Sequence, residues 1–140
     1  MVKLTEDMIV ARTRSYLAPH LSGIYGVLLT RVGDLASVKR LNCWGADLDD
    51  VSVLRRLENV EVIALSLNSI ASLADFQHCK QLQELFLRKN HIPSLRELTW
   101  LKDLGKLKNL WLAENPCAER DGWWVGWRRR TTELNIEHLP

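Results

Sequence analysis

The chain has 140 residues, of which 46% are hydrophobic and 26% charged, with seven Gly and four Pro. That is the composition of one ordinary globular domain, remote from disordered or collagen-like sequences. Nineteen basic against 17 acidic side chains leave a net charge of +2, which excludes attachment to nucleic acid or to a membrane by bulk charge alone.

The N-terminus carries two acids before any apolar run, unlike a signal peptide, and no N-x-S/T acceptor occurs. The longest apolar stretch, residues 24–29, is interrupted by Gly26 and falls far short of the ~20 residues that span a bilayer. No membrane insertion is expected. In the first segment Thr5 can cap a helix over residues 4–15 whose first turn holds Glu6 and Asp7. Residues 1–37 form the expected N-terminal cap, with Leu21, Ile24, Val27, Leu28 and Val32 closing the first coil in either helical or extended form.

From residue 38 the chain repeats itself. Segments starting at 38, 60, 82 and 107 share the pattern LxxLxL, and their starts are 22, 22 and 25 residues apart. Asn68, Asn90 and Asn115 each occupy the ninth place of their repeat, and Leu48, Ile70, Ile92 and Cys117 the eleventh. This is the leucine-rich-repeat signature. The fourth and sixth residues of a short strand point inward, and the ninth sits where the backbone turns a corner and loses its neighbours. An Asn there brings a donor and an acceptor for backbone groups of its own and the adjoining coil.

Apolar residues then follow in steps of three: Val51, Leu54 and Leu57, then Leu73, Phe76 and Cys79, then Leu95, Leu98 and Leu101, extended by Leu104 and Leu107. Such steps suit 3₁₀ or short α turns on a convex face. The expected fold class is therefore an α/β solenoid: a right-handed superhelix with short parallel strands on the concave face and helical or 3₁₀ turns on the convex face. Because one coil cannot bury its apolar edge alone, both ends need covers. Residues 118–140, with Trp123, Trp124 and Trp127, then Arg128 to Arg130, then Leu134, Ile136 and Leu139, read as a C-terminal capping helix region. The four Arg there are balanced by Glu119, Asp121, Glu133 and Glu137, so a packed cap with a solvated Arg face is favoured over a nucleic-acid surface.

Catalytic and metal-binding patterns are missing. Cys43, Cys79 and Cys117 are too widely spaced for a disulfide framework or paired metal knuckles and fall at core positions. A reducing compartment suits them. His20, His78, His91 and His138 lie in four separate segments, and Gly105-Lys106 lacks the rest of a phosphate loop. No catalytic residue, metal site or cofactor is expected.

The concave face carries the functional expectation. Outward positions of the strands hold Trp44, Val62, Leu67, Phe86, Arg88 and Trp111. An apolar patch that the core does not need marks a binding surface, and Trp and Arg are common anchors. The competing expectation is that the chain's own caps cover these residues.

Residues 1–15, 38–45, 60–70 and 110–117 go beyond the generic repeat. They resemble the N-terminal repeat domain of a cilia- and flagella-associated leucine-rich-repeat protein family, most specifically through Leu41-Asn42-Cys43-Trp44-Gly45 and the run from Leu110 to Cys117. The resemblance covers residues 1–15 and 35–117. Residues 16–33 resemble an insertion, and the Trp-rich stretch 122–127 departs from the family's cap, which residues 128–140 again resemble. It implies a non-enzymatic cytoplasmic scaffold at the basal body and cytoskeleton of the cilium or flagellum, supporting cilium assembly with a NIMA-related kinase as protein partner. It also implies oligomerisation through a separate C-terminal helical segment outside this chain. Dynein light chains, a phosphatase regulator and a spliceosomal protein share the general architecture, so the alternatives are an RNA-processing adaptor or a regulatory subunit of a phosphatase or dynein motor.

Overall fold

A computed structural model describes residues 1–17, 35–120 and 126–128, with residues 13–17, 119–120 and 126–128 described by backbone alone. Each LxxLxL segment forms a three-residue strand: β1 (Arg40–Asn42), β2 (Val62–Ala64), β3 (Glu84–Phe86) and β4 (Asn109–Trp111). They stack in chain order as a parallel sheet. The register sets Leu41 beside Ile63, Ile63 beside Leu85, and Leu85 beside Leu110. These residues and their sixth-position companions Cys43, Leu65, Leu87 and Leu112 are all buried. Equal spacing of the repeats thus becomes equal register, and equal register aligns the apolar columns into one core. The fold is a leucine-rich-repeat solenoid.

The corner after each strand is where backbone hydrogen bonding would otherwise fail. Asn68 Nδ2 donates to the carbonyls of Leu65 in its own coil, at 2.8 Å, and Cys43 in the preceding one, at 3.0 Å. Its Oδ1 accepts from the Leu48 and Ala46 amides at 2.9 and 3.1 Å. Asn90 serves Leu65 O, Leu87 O and the Ile70 amide, and Asn115 serves Leu87 O, Leu112 O and the Ile92 amide. All three Asn are buried, so each amide replaces water for backbone groups that a buried coil cannot leave unpaired.

Ala46 holds the ninth place in the first repeat, where the consensus argument expects the loosest corner. Asn68 reaches back to that corner and bonds three of its backbone groups, but no first-coil Asn adds the own-coil bond that Asn68 gives Leu65 O.

The residue before each corner Asn takes a left-handed conformation: φ is 58° at Leu67, 55° at Lys89 and 59° at Glu114, and 62° at Gly45 in the first coil. Only Gly45 meets this turn without Cβ crowding.

On the convex side the three-residue steps form 3₁₀ turns over Ser52–Arg56, Ala74–His78 and Leu95–Leu101. Their bonds run three residues back, as from the Leu54 amide to Val51 O at 2.9 Å and from Phe76 to Leu73 O at 3.1 Å. Coils are also tied across this side by acids at equivalent places. Asp75 accepts from Arg55 Nε at 2.6 Å, and Glu97 Oε2 accepts from the Leu73 amide at 2.9 Å and Ser72 Oγ at 3.1 Å. Again the later coil serves the earlier one.

At the N-terminal end α1 (Glu6–Leu17) begins where Thr5 Oγ1 accepts from the Met8 amide at 3.3 Å. Ahead of it Val2 O accepts from the Asp49 amide at 3.0 Å and the Leu4 amide donates to Asp50 O at 2.8 Å, so the first residues lie along the first coil. Leu4 and Ile9 are buried against it. Asp50 also accepts from the Ser52 amide at 2.9 Å, and that bond, helped by the Ser52 hydroxyl and Lys3, holds its carboxyl below the usual carboxylate range. Of the second cap segment, Leu35–Ser37 forms a 3₁₀ turn. Leu21, Ile24, Val27, Leu28 and Val32 lie outside the described residues.

The C-terminal end departs from the expected capping helix. A five-residue helix, α2 (Pro116–Arg120), is followed by β5 (Gly126–Arg128), which pairs antiparallel with β4. Residues 126–128 of the expected capping helix region instead extend the sheet. Trp123, Trp124 and the apolar residues from Leu134 onward lie outside the described residues.

Candidate protein-binding surface

Side chains at the third, fifth and seventh places of each repeat leave the strands on the concave face. The fifth-place column runs Asn42, Ala64, Phe86, Trp111 in direct register. Phe86 is half-buried and Trp111 is 45% exposed. Their ring centroids lie 6.4 Å apart at an interplanar angle of 30°, a tilted contact of the kind worth roughly 0.5–1.5 kcal/mol beyond area burial. Small residues flank the pair in register: Ala64 beside Phe86, and Gly126 of β5 opposite Trp111. The aromatic surface is therefore not closed over by the residues beside it.

Val62, half-buried, sits diagonally from Phe86 across β2 and β3, within the reach of large side chains. Leu67 and Arg88 are neighbours at the far ends of those strands, where the Leu67 amide donates to Arg88 O at 2.9 Å. Arg88 is not free to orient a ligand by itself: its Nε donates to Glu114 Oε1 at 2.7 Å and its Nη2 bonds the same oxygen. The repeat pattern did not single out Glu114, although its place next to Ala113 in the following coil contained that pairing.

Trp44 stands apart. It is 59% exposed on the first coil, with its amide bonded to Asn42 Oδ1 at 3.2 Å. Gly45 pairs with Ser66 and Leu67 with Arg88, so two coil steps separate Trp44 from the Phe86 coil. The structure brings Val62, Phe86 and Trp111 together, sets Leu67 and Arg88 at their edge, and leaves Trp44 on the flank. A further exposed aromatic, Trp100 at 42%, lies on the convex side. It falls between the core positions Leu98 and Leu101, and that spacing was the signal for its outward place.

The three cysteines are buried and unpaired in disulfides. Burial pushes the Cys79 thiol up to about 12 and raises that of Cys43 against the opposing charge of Arg12. Neither is poised as a nucleophile. Among the described residues no group of three or more His, Cys, Asp or Glu could hold a metal ion, and no helix is long and apolar enough to cross a membrane. The arrangement offers shape, aromatic surface and charge.

Comparison with known proteins agrees with this architecture. No family model matches the chain. Cilia- and flagella-associated protein 410 of Mus musculus is 41% identical over 138 residues, 99% of this chain and 47% of that protein. Its Homo sapiens counterpart is 43% identical over 117 residues, 84% of this chain and 39% of that protein. The chain thus spans less than half the length of these curated relatives. Leucine-rich repeat-containing protein 23 of Bos taurus is 36% identical over 66% of this chain and 26% of its own length. Among solved structures, an internalin from Listeria monocytogenes superposes with a TM-score of 0.56 at 20% identity, covering 81% of this chain and 33% of the internalin, and it supports the fold. With its stacked repeats and these relatives taken together, the chain is a close homologue of cilia- and flagella-associated leucine-rich-repeat proteins over less than half of their length.

Proposed function

We propose that this chain is a protein-interaction module of the cilium or flagellum that holds a partner on its concave face. The observation that carries the reading is the Phe86 and Trp111 pair, in contact at 6.4 Å on an open strand face, while core demands are met by the inward columns. Anchors of this type supply most of the energy of many interfaces. The relatives' names supply the ciliary setting. Within it we place the module at the basal body, as a non-enzymatic scaffold supporting cilium assembly, with a NIMA-related kinase as candidate partner and oligomerisation assigned to a segment outside this chain.

Proximity labelling in ciliated cells, comparing the intact protein with its Phe86→Ser/Trp111→Ser variant, tests the reading. Ciliary-base neighbours present for the unaltered protein and lost for the variant are the expected result. Neighbours dominated by spliceosomal, phosphatase or dynein components would replace it with one of those adaptor roles. Unchanged labelling would move the binding surface elsewhere.

A further inference from the structure

The lead-in segments to the four strands differ sharply in charge, and the difference coincides with the aromatic pair. Ahead of β1 and β2 the charges balance: Lys39 Nζ pairs with Glu61 Oε1 at 3.2 Å, and exposed Glu58 offsets exposed Arg40, the first residue of β1. Ahead of β3 and β4 stand Lys80, Lys102, Lys106 and Lys108, all exposed, and none has a carboxylate partner among the described residues. The acids beside these lysines in sequence are Asp103 and, in β3, the half-buried Glu84, while Glu97 and Glu114 are bonded elsewhere.

Cross-coil bonds hold Lys80, Lys106 and Lys108 near one another. Lys106 Nζ bonds Gln81 Oε1, next in sequence to Lys80, and the Lys108 amide donates to Gln83 O at 2.8 Å. The antiparallel register of β5 adds Arg128 beside Asn109, at the same end of β4. Coils three and four, which carry Phe86 and Trp111, are thus the coils with unneutralised positive charge at the strands' N-terminal ends. Coils one and two have Asn42 and Ala64 in the aromatic column, and there Lys39 and Arg40 are matched by Glu58 and Glu61.

We infer that the concave face takes an extended acidic peptide of a partner protein, seated by an apolar side chain on Phe86 and Trp111, with its carboxylates directed to Lys80, Lys106 and Lys108. The inference rests on the concave-face reading above and adds the partner's chemistry and its placement along the strands. Aromatic anchoring fixes where the segment sits, and the lysines attract and orient its acidic end. Nucleic acid is the poorer fit, because only one end of the strands is basic and the chain as a whole carries just +2.

The test is a selection from random phage-displayed peptides on the 140-residue chain, followed by affinity measurements on synthetic copies of those recovered. Recovered peptides should combine an apolar residue with several Asp or Glu on one side. The Lys106→Glu/Lys108→Glu variant, altered at exposed positions, should bind them roughly tenfold or more weakly, and added salt should weaken the unaltered chain in the same direction. Peptides that need Phe86 and Trp111 but carry no acidic excess, or bind the Lys variant equally, would overturn the acidic-partner inference alone. Peptides indifferent to Phe86→Ser/Trp111→Ser would overturn the concave-face reading itself. Recovery of no peptide, or tighter binding of a single-stranded RNA oligomer, would also defeat the inference.

Discussion

The two faces of the same four strands obey different rules. Inward, the columns from Leu41 to Leu110 and from Cys43 to Leu112 admit only buried apolar side chains, because each must pack on the coil above and below. Outward, the fifth-place column passes from Asn42 through Ala64 to Phe86 and Trp111 with no stacking demand that explains the change. The inner face therefore records the fold, and the outer face records something that the fold does not require.

The sharpest way to break this contrast is a truncation on each side. Leu85→Ala removes a fully buried side chain from the middle coil and should cost ~2–5 kcal/mol through lost burial plus a cavity, read by denaturant unfolding. A cost below 1 kcal/mol would mean that the stacked column is not the main source of stability. Next in size is Asn90→Ala, which strips partners from the Ile70 amide and the Leu65 and Leu87 carbonyls, at about 1–3 kcal/mol for each buried orphan that water cannot reach. Ala46→Asn, the consensus substitution at the first corner, should by contrast gain less than about 0.5 kcal/mol, since Asn68 already serves that corner.

On the outer face, Phe86→Ser combined with Trp111→Ser should shift the melting temperature by only a few degrees while binding falls by roughly 30-fold or more. A collapsed melt would show that the pair is part of the core after all. The cysteines probe the inner face chemically. Because burial lifts the folded Cys79 thiol from its ordinary 9.0 to about 12, its contribution to stability is complete below pH 9 and is lost as pH rises from there toward 12. Mild alkali should accordingly leave Cys79 and Cys43 unreactive to a thiol reagent until the chain unfolds, and rapid labelling of the native protein would contradict their burial. The smallest effect is expected at the left-handed turn: Lys89→Asn, at φ 55°, should stabilise by about 0.5 kcal/mol, since Asn tolerates that conformation better than a long side chain.

Much of this was legible in the sequence. Register, inward columns, corner Asn residues and 3₁₀ turns all follow from a fixed period, because a repeated unit meets the same environment in every coil. The reach of each corner Asn into the adjoining coil follows from it too, whereas the pairing of charged side chains between coils does not. Asp75 and Glu97 occupy the same place in successive repeats, yet one bonds a guanidinium and the other a backbone amide. Arg88 looked like a free anchor until Glu114 of the next coil reached it. The C-terminal segment failed differently: outside the repeat no period exists to read, and Trp127 with its neighbours entered the sheet as β5 where helical capping was expected. For the binding surface, composition located the aromatics, but only register could tell that Phe86 and Trp111 meet while Trp44 does not.

The backward reach of the Asn side chains gives the solenoid a polarity. Each coil's corner is satisfied by an Asn that lies later in the chain, so a coil is locked only when the next one is in place, wherever folding starts. Trimming would show the same polarity: removing coils from the C-terminal side strips the surviving coil of its lock, whereas removal from the N-terminal side leaves every remaining corner bonded. At the fourth coil the chain leaves the repeating path, as α2 begins at Pro116 directly after Asn115, and the Ala118 amide donates to Asn115 O at 2.9 Å. A helical turn thus occupies the point at which another coil would have been called for.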